Sequence, residues 1–181
     1  MKKLNKLAKI VTKVLEVFHW VGAALMLVAT VCSVAAPKWL GYFVGIDAKE
    51  QLSVYGFEVY AAVTNGNMDM KTFLLFGIGA FIILTLMAMV FRNLYLIFKK
   101  SENDTPFQKD NIRMLKEIGI FSISIPIIGL VMSTIIRLVI GVDAVEISVN
   151  QSGVVMGIIV LCLTQFFRYG AELEKDVDGL L

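Results

Sequence analysis

The chain has 181 residues, of which 57% are hydrophobic and 18% are charged. Soluble domains average roughly 45–50% apolar and about 25% charged residues, so this composition favours a membrane protein. The formal charge of +2 is the small difference between 17 basic and 15 acidic residues. Such a balance argues against a surface that binds nucleic acid directly.

The amino-terminal segment 1–13 is predicted to be a basic amphipathic helix. Leucine and isoleucine alternate with lysine at helical spacing, with the apolar positions at Leu4, Leu7 and Ile10. A helix of this kind suits the surface of an anionic inner leaflet, where we expect it to lie before the chain turns into the membrane.

Four apolar segments follow, and each is long enough to cross a bilayer, for which about 20 largely apolar residues suffice. They are residues 14–36, 72–98, 118–142 and 152–168. The last is the shortest, and its end at Arg168 assumes that this side chain snorkels to the interface. The pattern predicts a single integral domain, an all-α membrane protein with a four-transmembrane-helix bundle.

The first apolar segment has a second interpretation. It follows five lysines and ends in Ser33-Val34-Ala35-Ala36, which resembles a signal-peptide cleavage site. The region before it is longer than a typical signal-peptide start, however, and Glu16 and His19 interrupt its beginning. We therefore favour an uncleaved membrane anchor, with cleavage as the alternative.

Charge placement predicts the orientation of the spans. Lysine and arginine are concentrated before the first span and between the second and third, whereas residues 143–151 contain neither. The positive-inside rule then places both termini and residues 99–117 and 169–181 in the cytoplasm. Residues 37–71 and 143–151 are predicted to be extracytoplasmic.

The two outer segments carry strand signals. Residues 54–63 are rich in β-branched and aromatic residues, and the turn signal Thr64-Asn65-Gly66-Asn67 follows them. Residues 144–150 alternate apolar and polar side chains, as a half-buried strand requires. We expect a small extracytoplasmic β-sheet cap, and we favour a structural cap over a ligand-sensing lid.

Helix-start and helix-packing signals mark the last two spans. Thr105, Pro106 and Gln108 fit the N-cap, N1 and N3 positions of a helix that leads into the third span. In the fourth span, Gly153-x-x-x-Gly157 allows a close helix approach, which favours packing within the bundle over dimerisation.

Ionisable residues inside spans are costly and are therefore candidates for function. Glu16, His19, Arg92 and Arg168 are predicted at the depth of the inner leaflet. The structural interpretation is that they snorkel, or that Glu16 pairs with Arg92 or Arg168. The functional alternative is a proton- or ligand-responsive cluster in which His19 titrates near neutral pH.

The sequence contains no recognisable catalytic, cofactor-binding or metal-binding motif. It has no GxSxG, HExxH or phosphate-binding glycine loop, and Cys32 and Cys162 lack the partners that a metal site needs. A single histidine cannot supply both axial ligands of a haem within one chain. These absences predict a protein that is not an enzyme.

The cytoplasmic face combines two oppositely charged groups. The basic group is Lys109, Arg113 and Lys116, and the acidic tail carries Glu172, Glu174, Asp176 and Asp178. The two groups would either bind each other or form a docking surface for a cytoplasmic protein with a basic surface. Both alternatives are open at this stage.

Several motifs resemble an uncharacterised bacterial family of four-span membrane proteins, domain of unknown function 2975. They are Thr105-Pro106-Phe107, Asn111-x-x-x-Leu115-x-x-x-Gly119, Phe167-Arg168-Tyr169-Gly170-Ala171-Glu172-Leu173 and Asp178-Gly179-Leu180-Leu181. The resemblance implies a bacterial cytoplasmic membrane protein. It also implies a cytoplasmic helix-turn-helix transcription regulator as partner, because such regulators are often encoded beside members.

The function expected from the sequence is therefore a non-enzymatic sensor or regulatory partner. A small transporter or channel component is the alternative, with the polar third span lining a path. A structural subunit of a larger membrane complex is a third interpretation. Solute flux through reconstituted vesicles would distinguish transport from regulation.

Overall fold

A computed structural model describes residues 2–35, 50–61, 63–64, 67–68, 70–101, 105–145 and 151–178. Four long helices account for most of them: α1 Lys2–Ala35, α2 Met70–Lys100, α3 Lys109–Val139 and α4 Gln151–Asp178. All four are long and apolar enough to cross a membrane. The four apolar helices predicted from the sequence are therefore confirmed.

Helix α1 buries polar side chains and exposes apolar ones. Its buried positions recur every three or four residues and include Thr12, Glu16, His19, Thr30 and Ser33. Its surface is formed by large aliphatic residues such as Val14, Val21, Leu25, Val28 and Val31. A soluble helix has the opposite arrangement, whereas polar residues of membrane helices face the bundle interior. Lipid is the solvent that suits this surface.

The amino-terminal helix is not separate from the first span. The sequence predicted an amphipathic helix over 1–13 that turns into the membrane, but α1 continues without a break from Lys2 to Ala35. No proline or glycine occurs in α1 before Gly22, so nothing in the sequence breaks the backbone hydrogen bonding there. At 1.5 Å per residue, its 34 residues span about 51 Å, well beyond a hydrocarbon core of about 30 Å.

Two short antiparallel ladders lie between α1 and α2 in the chain. β1 Glu50–Val54 pairs with β2 Phe57–Ala61, and β3 Val63–Thr64 pairs with β4 Asn67–Met68. The strand signal over 54–63 is confirmed in part, because β2 lies within it and a tight turn at Tyr55 and Gly56 precedes β2. The reversal predicted at 64–67 agrees with the pairing of Thr64 opposite Asn67.

The strand predicted over 144–150 lies mostly outside the described residues. Its first residue, Ala144, ends a 3-10 turn formed by Val142–Ala144, and Val145 is extended. Residues 146–150 are not described, so the pairing of this segment stays a prediction. The 3-10 turn contacts β2.

The chain forms two compact units. The first comprises Met1–Phe18, Leu86–Ser124 and Ser152–Leu181, and the second comprises His19–Thr85 and Ile125–Gln151. In the second unit, α1 and α2 are antiparallel, since Gly22 lies against Leu84 and Thr30 against Gly77.

In the first unit, α3 and α4 approach closely at facing glycines. A Cβ atom built on Gly157 would lie 2.8 Å from the carbonyl oxygen of Gly119 and 2.4 Å from Ile123 Cγ1. Such a gap admits only hydrogen at these positions. Gly157 therefore serves packing within the bundle, as the GxxxG spacing predicted.

Candidate functional site

The β1–β2 hairpin is inserted between helices of the second unit. Phe57 and Val59 are almost completely buried, and the Phe57 ring stacks on Phe76 of α2 with centroids 5.3 Å apart. A Cβ on Gly79 would lie 2.7 Å from the Phe57 ring, and one on Gly129 would lie 3.5 Å from Phe57 Cβ. Gly79 in α2 thus leaves the room that this ring occupies, whereas Gly129 in α3 is in ordinary contact with the base of the side chain.

The Phe57 ring lies far from the ends of the two helices that it contacts. Gly79 is nine residues from the start of α2 and Gly129 is ten residues from the end of α3. These separations correspond to about 14 and 15 Å along the helices. The hairpin tip therefore reaches well down between α2 and α3.

The turn of the hairpin contains an unusual backbone conformation. Tyr55 has φ 52° and Gly56 has φ 82°, as in the two-residue turns with both central residues left-handed. For a residue other than glycine this conformation costs roughly 1–2 kcal/mol. Residues held in such conformations concentrate at functional sites, so Tyr55 is a candidate.

Tyr55 makes the polar contact on which the candidate site depends. Its hydroxyl group is hydrogen-bonded to Nε2 of His19 in α1, and the two rings lie 5.8 Å apart. His19 is 4% exposed, and partial burial raises the pKa of the Tyr55 hydroxyl. The site therefore joins the only histidine of the chain to the tip of the inserted hairpin.

The four ionisable residues predicted as one inner-leaflet cluster have different partners. Glu16 is buried and pairs with Lys13 at 3.0 Å, not with either predicted arginine. Arg168 pairs with Glu172 at 3.5 Å along α4, and Arg92 is exposed. Lysine at position 13 is the nearer partner because it lies three residues from Glu16 on the same helix.

Lys13 also links α1 to α2 in the first unit. Its ammonium group lies 5.0 Å from the centroid of the Tyr95 ring, in a cation–π contact. Its side chain is 48% exposed, whereas that of Glu16 is 9% exposed. The pair therefore satisfies a buried carboxylate while keeping the ammonium group at the surface.

A polar link between α2 and α3 was missed at the sequence level. Asn93 is buried in α2 and donates to Glu117 Oε2 of α3 at 3.0 Å, while Glu117 Oε1 lies 3.6 Å from Arg113. The spacing of Arg113 and Glu117 along a helix was the available signal. The partner Asn93 could not be identified from spacing alone.

The connection between α2 and α3 is held by short-range contacts. Lys100 Nζ lies 2.5 Å from Asp110 Oδ2, and this hydrogen bond holds the pKa of Asp110 below its ordinary value. Asn111 is buried and donates to the Pro106 carbonyl oxygen at 3.3 Å and to Ser101 Oγ at 3.5 Å. The Oδ1 atom of Asn111 has no hydrogen-bond partner among the described residues.

The capping box predicted at Thr105 is replaced by a contact with α4. Helix α3 begins at Lys109, and the Thr105 hydroxyl donates to Glu174 Oε2 at 3.1 Å. Phe107 packs edge-on against Phe167 with centroids 5.6 Å apart, and a Cβ on Gly170 would lie 2.6 Å from its ring. Thr105 therefore anchors the end of α4 instead of starting α3.

The predicted docking residues remain largely at the surface. Lys109, Lys116 and Asp176 are exposed, and the side chain of Asp178 lies outside the described part of the structure. Among the described residues, the basic side chains at 109, 113 and 116 form no ion pair with the acidic tail. The loop and the tail do contact each other, but through a hydrogen bond and aromatic packing.

Two polar residues of α3 bond within their own helix. The hydroxyls of Ser124 and Thr134 donate to the carbonyl oxygens of Ile120 and Leu130. Thr134 is exposed and Ser124 is half-buried, whereas Ser133 is buried. The described residues also include no group of three or more side chains that could hold a metal ion.

The fold defines a class: an α-helical protein with four helices long and apolar enough to cross a membrane, and with a β-hairpin inserted between helices of its second unit. No protein family, curated protein or solved structure matches this chain.

Proposed function

We propose that the chain is a non-enzymatic membrane sensor or regulatory partner, whose cytoplasmic face binds a soluble protein with a basic surface. The observation that carries this proposal is the anchored acidic end of α4. The loop at 105–107 fixes this end through Thr105 and Phe107. Exposed carboxylates at Glu172 and Asp176 project from an ordered helix.

An ordered charged helix is suited to recognition. A partner that binds it need not order it first, so little conformational entropy is lost on binding. Charge complementarity would then select a basic partner and accelerate its association. The helix-turn-helix regulator implied by the resemblance to domain of unknown function 2975 would have such a surface, since it binds nucleic acid.

The inserted hairpin would provide the sensing element. Its tip combines a left-handed tyrosine with a hydrogen bond to a buried histidine, and its other face carries exposed polar groups on Gln51 and Ser53 that bond to Glu58. A segment with a strained backbone can have two arrangements of similar free energy. A signal that favours one arrangement of the hairpin would be transmitted by the structural difference between the two arrangements.

The test is photocrosslinking from Leu173, which lies beside the acidic residues and is 66% exposed. A photoreactive amino acid at this position should crosslink a basic cytoplasmic protein in intact cells. The double charge reversal E172K/D176K should abolish the crosslink while leaving membrane insertion unchanged. It spares Glu174, so the hydrogen bond to Thr105 is retained.

A matched variant reverses two acidic residues of the segments predicted to face outward, Asp47, which lies outside the described residues, and Asp143 in the 3-10 turn. Because D47K/D143K makes the same change of net charge, it should leave the crosslink at its original yield. Recovery of the same crosslinked protein at equal yield from E172K/D176K would show that the tail is not the contact.

A further inference from the structure

The facing sides of α1 and α2 in the first unit carry two rows of basic residues. On α1, Lys6, Lys9 and Lys13 are spaced by three and four residues, which places them on one helix face. On α2, Arg92 and Lys99 flank Tyr95 at the same spacing. These rows meet where the Lys13 ammonium group lies over the Tyr95 ring.

Among the described residues, Lys6, Arg92 and Lys99 form no ion pair with an acidic side chain. Glu16 is the single acidic residue within α1, and α2 contains none. Glu16 is buried and already bonded to Lys13. On α3 and α4, Asp110, Glu117 and Glu172 have basic partners at Lys100, Arg113 and Arg168.

Large aliphatic side chains adjoin the basic row on α1. Val14 and Val17 follow Lys13 by one and by four residues, towards the middle of α1, and are 62% and 49% exposed. A ligand that satisfies the whole surface therefore needs a negative group for the cations and hydrocarbon for the aliphatic row. An acidic peptide offers the first but not the second.

We propose that the α1–α2 surface formed by Lys6, Lys13, Arg92, Tyr95 and Lys99 is a binding site for an anionic phospholipid. The headgroup phosphate lies among the cations beside Tyr95, and an acyl chain runs from there along Val14 and Val17. Arginine binds phosphate oxygens in a bidentate geometry, whereas lysine contributes a point charge. The site belongs to the cytoplasmic leaflet, where anionic lipids attract basic segments.

Native mass spectrometry of the full chain, released from detergent with added lipid, tests the site. The probes are dioleoyl phosphatidylglycerol and dioleoyl phosphatidylcholine, which share their acyl chains and differ in net charge. The wild-type chain should retain phosphatidylglycerol in preference to phosphatidylcholine. Each cation near an anionic lipid contributes about fivefold to binding, so R92Q/K99Q should lose most of this preference.

Two further variants separate a site from general surface charge. R168Q/K175Q removes two cations of α4 in the same unit and should keep the preference, because these residues lie outside the site. R92K/K99R keeps both charges and should also keep it. Lys13 is left unchanged in all of these variants because its loss would unpair the buried Glu16.

The proposal is overturned if wild-type chain retains the two lipids equally, or if R168Q/K175Q lowers phosphatidylglycerol binding as much as R92Q/K99Q does. Circular dichroism of each variant establishes that the helices are intact. A second measurement is the rise in melting temperature on adding phosphatidylglycerol, which should be smaller for R92Q/K99Q than for R92K/K99R. Equal rises in these two variants would also contradict the site.

Discussion

Tyr55 is held in a left-handed conformation by contacts that outweigh its intrinsic cost, and one of them is the hydrogen bond to His19. We expect Tyr55→Phe to remove this bond, while the ring and its packing remain. A hydrogen bond contributes about 1 kcal/mol to stability. The variant should therefore unfold at a lower temperature in detergent by a corresponding amount.

A double-mutant cycle attributes the loss to the pair. If the bond to His19 is responsible, Tyr55→Phe should cost less in a His19→Leu background than in the wild type. Tyr169→Phe is the control, because Tyr169 is 65% exposed on α4. Additive effects of the substitutions at 55 and 19 would contradict the pairing.

Asp110 is the residue for which a pH effect has a defined sign. The hydrogen bond and charge of Lys100 depress its pKa, so the carboxylate favours the folded state above its ordinary pKa. This contribution is lost as the pH falls through the depressed value. Lys100→Gln should raise the pKa of Asp110, and carboxyl carbon shifts in an NMR titration measure it. An unchanged value would contradict the contact.

At the scale of elements, the α3–α4 contact depends on two glycines that face each other. Gly157→Ala would place a Cβ 2.8 Å from the carbonyl oxygen of Gly119, closer than carbon and oxygen approach. Overpacking of this kind costs about 1–3 kcal/mol. The melting temperature of the purified chain should therefore fall.

Gly22→Ala is the matched control for that substitution. Its Cβ would lie 3.7 Å from Leu84, an ordinary contact, and alanine favours helix over glycine by about 1 kcal/mol. The Gly22 variant should therefore be as stable as the wild type or more stable. If both variants lost stability equally, the close approach of α3 and α4 would not be the cause.

The helices could be predicted from the sequence because each depends on a long apolar run, which is a local property. The hairpin could not be predicted correctly, because residues 54–63 have strand composition throughout and Tyr55 is a poor turn former. Its turn is stabilised by His19 and by the glycines that accommodate Phe57. These partners lie far away in sequence.

The difference between local properties and partners far away in sequence also explains the polar contacts. The sequence identified Glu16 and His19 as unusual residues within a span. In the structure, both side chains are buried on α1. It predicted the partner of Glu16 incorrectly, because depth in the membrane says nothing about which side of a helix faces a neighbour. Thr105 shows the same effect, since a hydroxyl suited to capping α3 bonds to α4 instead.

For the whole molecule, the inside-out character of α1 and the four apolar helices favour a membrane, and charge placement then predicts the orientation. The exposed basic residues of the first unit include Lys3, Lys6, Lys99, Lys109 and Lys116. Lysine and arginine are retained on the cytoplasmic side during insertion. This side should therefore hold the acidic end of α4 as well as the loop before α3.

Cysteine accessibility in intact cells tests that orientation. In a chain with Cys32 and Cys162 replaced by serine, we expect a cysteine at Ser101 to resist an impermeant maleimide, because residues 99–117 are predicted to be cytoplasmic. A cysteine at Ala48, which lies outside the described residues, should react, because 37–71 is predicted to face outward. Permeabilised cells provide the control, since both positions should then be labelled. Labelling at 101 but not at 48 in intact cells would invert the topology, and the acidic tail would then face away from any cytoplasmic partner.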